Sequence, residues 1–117
     1  IYGKDYFGGE IDKLQSRAVN KRHIKIVRVN DLKELARCQA IFFSKSINNH
    51  LSTILGDLQN RPILTLADNP HALSEGIVIN MNLSNEKIVF EINLGVARKS
   101  GLDISSKLLQ LAVKVHQ

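Results

Sequence analysis

The chain reads as an α/β protein: a central mixed, partly parallel sheet flanked by helices, with a β-hairpin near its C-terminal end followed by two helices. Three observations carry that reading. Short apolar runs alternate with stretches of helical periodicity from residue 2 to residue 66, the pattern of βαβ units and a largely parallel sheet. The run Ala40-Ile41-Phe42-Phe43 is apolar without alternation, as in a strand covered by helices on both faces. Residues 77–83 and 88–94 do alternate, and Ser84-Asn85-Glu86-Lys87 between them is the polar group that closes a four-residue hairpin loop.

Taken in order, Tyr2-Gly3 reads as the end of a strand with neither a Met nor a capping residue before it, so the chain is expected to lack its true start. Gly8-Gly9 reads as a loop or a frayed helix start, and Ile11, Leu14 and Ala18 follow at the spacing of one helix face. The two glycines are not read as a phosphate cradle, because neither a dinucleotide fingerprint nor a Walker-type lysine follows. Lys21-Arg22-His23 is the most basic patch and leads into Ile24, Ile26, Val27 and Val29, a strand with Lys25 and Arg28 as a basic rim. That patch lacks aromatics to stack bases and any groove-reading helix, which points to a solvated strand edge and away from nucleic acid.

Asn30-Asp31 is expected to cap a short helix running through Arg37. Beyond the strand at 40–43, residues 44–59 hold a helix whose apolar stripe is Ile47, Leu51, Ile54, Leu55 and Leu58. Pro62 then admits a short buried strand, Ile63-Leu64-Thr65-Leu66. Asp68-Asn69-Pro70-His71 forms a loop at the carboxyl end of that strand, where open α/β sheets commonly place their sites. Asp68 and His71 are too few to hold a metal, and the segment reads as turn chemistry.

In the hairpin, Asn80 and Asn82 share one face of the first strand. Asn82-Leu83-Ser84 matches a glycosylation acceptor by accident of composition. In the second strand Val89, Glu91 and Asn93 face one way and Ile88, Phe90, Ile92 and Leu94 the other. The hairpin is expected to supply antiparallel edge strands. After it the period changes: Leu94, Ala97 and Arg98 fall on one side of a short helix, and Gly101 stands where a left-handed residue ends it. Ser105 caps a second helix in which Leu108, Leu109, Ala112 and Val115 recur at helical spacing. Glu91 and Arg98 come near enough to pair, tying helix to strand, and Asn93 is placed to satisfy backbone groups at the junction.

With 117 residues the chain is expected to form one domain over residues 1–117. Sixteen basic against eleven acidic residues give a net charge of +5, spread along the chain rather than gathered in one block, as in a basic globular domain. No apolar stretch approaches the roughly 20 residues that span a bilayer, and no signal-peptide pattern is present. The one cysteine, Cys38, has no second cysteine in the chain to pair with. No nucleophile elbow, zinc-protease motif, redox Cys pair or P-loop is found, and the four histidines lie far apart, so no catalytic residue, cofactor or metal ligand is assigned.

The order Glu75-Gly76, an apolar strand with Asn80 and Asn82, a polar turn, Phe90-Glu91-Ile92-Asn93-Leu94, Ala97-Arg98, Gly101-Leu102, Ser105-Ser106 and Leu108-Leu109-Gln110-Leu111-Ala112 resembles the C-terminal half of the YfiR family. Earlier residues agree: Tyr2-Gly3, Arg37-Cys38 before the apolar run, and Arg61-Pro62-Ile63-Leu64-Thr65 before Asp68. The resemblance implies that a signal peptide, a helix and most of the first strand precede Ile1, and that Gly76, Glu91, Asn93, Arg98 and Gly101 belong to a structural motif. Family members often carry disulfides, so Cys38 pairs with a cysteine upstream of Ile1 or is a buried thiol. The function implied is a non-enzymatic periplasmic protein. It would bind and inhibit the periplasmic domain of an inner-membrane diguanylate cyclase, lowering cyclic-di-GMP and biofilm formation, and an OmpA-like outer-membrane lipoprotein would sequester it. No direct membrane insertion is expected, and an exposed edge strand permits a homodimer. The residues expected to meet the partner are Lys99, Asp103 and Ser105, at a junction between the last two helices where they need not serve the core. The alternative is a small-molecule sensor module using the crevice near Asp68.

Overall fold

In the computed structural model, residues 1–3, 18–19, 22–29, 31–44, 51–58, 61–69, 72–84 and 87–117 are described. The Gly8-Gly9 segment, Ile11, Leu14, Asn30, Ile47, His71 and the Asn85-Glu86 tip of the hairpin loop lie outside them.

The expected α/β architecture is what forms. Five strands lie in the order β3 (Ala40–Phe43), β4 (Leu64–Ala67), β5 (Ile79–Ser84), β6 (Lys87–Asn93) and β7 (Lys114–His116). The β3–β4, β4–β5 and β6–β7 pairs are parallel and β5–β6 is antiparallel, so the sheet is mixed. Beyond β3, Tyr2 bridges in parallel to both Phe43 and Val29. Separately, β1 (Ala18–Val19) and β2 (Arg22–His23) form a short antiparallel ladder.

The sheet sorts its side chains by alternation. In β4, Ala67 joins a cluster with Ile41, Phe43, Leu51, Ile54 and Ile77, and the alternate residues Leu64 and Leu66 pack on a second cluster around Val78, Ile92 and Ala97. The first cluster is closed by α1 (Leu32–Leu35), α2 (Leu51–Asp57) and α3 (Ala72–Glu75), which contribute Leu35, Leu51, Ile54 and Ala72. The second is closed by α4 (Leu94–Lys99) and α5 (Ser106–Leu111) with the turn between them, through Val96, Ala97, Leu102, Ile104, Leu108 and Leu109. Two buried polar side chains stitch the sheet to its connections. Thr65 Oγ1 accepts from the Val78 amide at 2.9 Å, and Asn80 Oδ1 accepts from the Asn69 amide at 3.0 Å.

Several expectations need correction. Val115 does not extend the last helix. That helix stops at Leu111, and Val115 sits in β7 paired with Ile92. A β-branched pair, Val113 and Val115, alternating with Lys114 and His116 suits a strand better than a helix end. The hairpin is therefore not at the edge, because β7 covers β6. The expected strand at 24–29 is reduced to the Val29 bridge, with Ile1 N donating to Val27 O and Val29 N to Ile1 O; neighbouring charges leave little apolar surface to bury. Ala18 lies in β1 and not in a helix. The first cap does form, with Asp31 accepting from Lys33 N, but that helix ends at Leu35 rather than Arg37. Ser44 is buried outside any helix, its amide donating to the Tyr2 carbonyl at 2.9 Å. The segment after Asp68 holds the short helix α3, which local turn chemistry concealed.

Candidate partner-binding site

The hairpin end and the two helices after it are assembled by caps. Asn93, the last residue of β6, has extended backbone, and its Oδ1 accepts from Val96 N at 3.1 Å, starting α4 without an intervening loop. Leu94 and Ala97 are buried, while Arg98 and Lys99 are exposed in the last turn, where cations suit the carbonyl end of a helix. Gly101 has φ of +79°, and the Leu102 amide returns to the Ala97 carbonyl at 2.9 Å, a left-handed termination. Ser105 Oγ then accepts from Leu108 N at 3.2 Å and starts α5. The outcome is a capped pair of helices joined by the six residues 100–105, with Lys99, Asp103 and Ser105 all exposed on it. Leu111, at the far end of α5, is 71% exposed, so the same helix also offers a large apolar side chain to solvent.

The remaining motif residues fall as follows. Gly76, with φ of +109°, ends α3 and turns the chain toward β5. Glu91 pairs with a residue that sequence reasoning passed over. Its Oε1 is 3.0 Å from His116 Nε2, across the β6–β7 pair, while Arg98 points to solvent. The anticipated Glu91–Arg98 pair is replaced because Glu91 is directly beside Lys114 in the ladder and β7, unforeseen, brings His116 within reach. The contact is a cross-strand tie between partly exposed groups and is charged only when the imidazole is protonated. Cys38 is a free, half-buried thiol on the first cluster, with Sγ 3.8 Å from the Glu34 carbonyl.

Two concavities accompany these elements. One, of roughly 330 Å³, lies between α2, the end of α3 and the end of α4, and is lined by Gly56, Glu75 and Lys99 among others. The second is shallow and is formed by Leu73, Ser74, Glu91, Asn93 and His116. Neither is lined by Asp68, the residue around which a ligand crevice was anticipated. Nothing in either sequence spacing or composition announces the first cavity, since its walls come from three separate helices and from Ile63 and Thr65 at the start of β4.

Among the described residues, no group of three or more His, Cys, Asp or Glu side chains converges in a metal-binding arrangement. No helix among them is long and apolar enough to cross a membrane. No curated protein is significantly similar to the chain. A family model described as YfiR/HmsC-like matches residues 1–113, stopping immediately before β7. That match spans nearly all of the sheet and both clusters, together with the capped α4–α5 turn, and the chain belongs to the YfiR/HmsC-like family, whose members are periplasmic, non-catalytic regulators of diguanylate cyclases.

Proposed function

We propose that this protein binds the periplasmic sensor domain of an inner-membrane diguanylate cyclase and holds the enzyme inactive, lowering cyclic-di-GMP and biofilm formation. The observation that carries the reading is the family match over residues 1–113. The exposed α4–α5 turn supports it as the contact surface: Lys99, Asp103 and Ser105 are exposed there, and Leu111 at the other end of α5 adds exposed apolar area. Rigid, capped elements lose little entropy when a partner docks, which favours affinity per unit of area.

Inhibition on this reading is a shift of population. The inhibitor must prefer the inactive cyclase conformation, since equal affinity for both conformations would change nothing. An OmpA-like outer-membrane lipoprotein that competes for the inhibitor relieves the cyclase by lowering the free inhibitor concentration.

The test is calorimetric titration of the chain against the periplasmic domain of the cognate cyclase. Saturable heat at micromolar strength or tighter, about 8 kcal/mol or more, is the expected result. In the variant carrying Lys99→Glu and Asp103→Lys the affinity should fall at least about tenfold with the melting temperature unchanged. Ser105→Ala is a poorer probe, because it also removes the α5 cap at a cost of about 1 kcal/mol. No heat with a folded partner rejects the inhibitor reading. Full affinity in the charge-reversed variant moves the interface elsewhere.

A further inference from the structure

Four large apolar side chains stand exposed among the described residues, Val27, Ile88, Leu111 and Val113, and three of the four gather at one end of the sheet. The Val113 amide donates to the Phe90 carbonyl at 2.9 Å, which sets Val113 beside Phe90. Ile88 lies two residues before Phe90 in β6, hence on the same face, and Leu111 ends α5 two residues before Val113. That face is the one α4 and α5 cover, and Phe90 packs there on the second cluster. The helices leave the start of β6 open, with Ile88, Leu111 and Val113 exposed to 74%, 71% and 61%. Isolated surface aliphatics are ordinary, whereas a contiguous group on one face points to something that covers it.

Charge is a second and independent observation. Residues 94–117, which form α4, α5 and β7, carry Arg98, Lys99, Lys107 and Lys114 against Asp103 alone, all of them exposed, so four positive charges and one negative leave +3. Lys107 is one helical turn from Leu111 on the same side of α5, and Lys114 follows Val113 on the edge strand. Neither is held in an ion pair among the described residues. Asp103 precedes α5, at the end away from Leu111, and Glu91 faces the other side of the sheet, where it meets His116.

A second copy of the chain seated here would set this positive segment against itself. A partner's side chain would need a pocket, and Ile88, Leu111 and Val113 line neither concavity. Protruding aliphatic side chains beside lysines suit a fluid anionic interface, which accepts them without a shaped cavity while the lysine stems lie along it and the ammonium groups meet head groups. We propose that the end of the sheet formed by Ile88, Leu111 and Val113 docks this protein peripherally on an anionic phospholipid bilayer, the three side chains entering at head-group depth and Lys107 and Lys114 meeting lipid phosphates. The contact is shallow and needs no spanning helix, and none of the described helices could serve as one. The inference goes beyond the inhibitor reading and stands without it, since no partner protein enters its test.

The experiment is co-sedimentation of the chain with phosphatidylglycerol vesicles and, in parallel, with phosphatidylcholine vesicles, alongside sedimentation velocity of the chain alone. The chain should partition onto phosphatidylglycerol, less so as salt is raised, and leave phosphatidylcholine unbound. The variant carrying Ile88→Thr, Leu111→Gln and Val113→Thr should bind phosphatidylglycerol at least about tenfold more weakly. Its melting temperature should hold, because the three positions are exposed and the replacements keep strand and helix propensity. Lys107→Glu with Lys114→Glu should weaken binding at least as much, about tenfold or more. No partition onto phosphatidylglycerol, equal binding to phosphatidylcholine, or full binding by the folded triple variant would each overturn the proposal. So would a dimer in the absence of lipid that the triple variant dissociates, which would assign these residues to a second copy.

Discussion

Asn80 and Thr65 are polar residues at positions where the strands around them are otherwise apolar, and both are buried. Each accepts one backbone amide from a neighbouring connection, so each substitutes for a sheet hydrogen bond where the ladder runs out. Removing the acceptor strands a buried N–H, which costs more than the bond itself contributes. Asn80→Ala should therefore destabilise the protein by about 1–3 kcal/mol, and Thr65→Val, which keeps the shape, by a similar amount for the same reason. Urea denaturation measures both, and an unchanged midpoint for Thr65→Val would mean that the Val78 amide finds another acceptor. These two residues were visible in the sequence as polar intruders in apolar runs, but their partners, Asn69 and Val78, were not. Eleven and thirteen residues separate the pairs, and only the register of β4 on β5 brings them together.

At the scale of elements, β7 is a short strand held from one side only. It is three residues long, pairs with β6 alone, and is tied by Val113 N to Phe90 O and by the His116–Glu91 contact. The carbonyl oxygen of Gln117 lies over Gly95, where an added Cβ would come within 2.7 Å of it. Gly95→Ala should thus push the end of β7 outward while improving the propensity of α4. Amide exchange at Val115 and Gln117 is expected to accelerate in that variant, with exchange at Ile41 and Phe43 unaffected. Protection at Val115 equal to the parent would show that β7 shifts without detaching. The caps of α4 and α5 belong to the other extreme. Asn93, Gly101 and Ser105 are residue types whose local chemistry nearly dictates where a helix begins or ends, and the structure uses them so.

For the molecule as a whole, the net charge of +5 bears on how it meets a partner more than on how it folds. If the cyclase domain presents an acidic face, the association rate should fall several-fold between low and physiological ionic strength, with the dissociation rate nearly constant. Stopped-flow or surface-based kinetics at two salt concentrations measures this, and a salt-independent association rate would place recognition in apolar contacts such as Leu111. The two apolar clusters leave α1, α2 and α3 to one and α4 and α5 to the other, so the proposed partner surface and the first cluster are built from different helices. Charge reversal at Lys99 and Asp103 is for that reason expected to spare stability.

By itself the sequence determined the α/β class, the parallel βα pattern around β3 and β4, the hairpin, the ends of α4, the start of α5, and the family. Those follow from side-chain period, from capping chemistry and from residue order, all of which act over a few positions. Only the tertiary structure decided that β7 lies beside β6, that Glu91 meets His116 rather than Arg98, and that Gly56, Glu75 and Lys99 share a cavity. Each of these is a meeting of residues far apart in the chain, set by which strand pairs with which and at what register. No local preference of Glu91 or Glu75 encodes its neighbour, so pairing and concavity had to wait for the packed sheet.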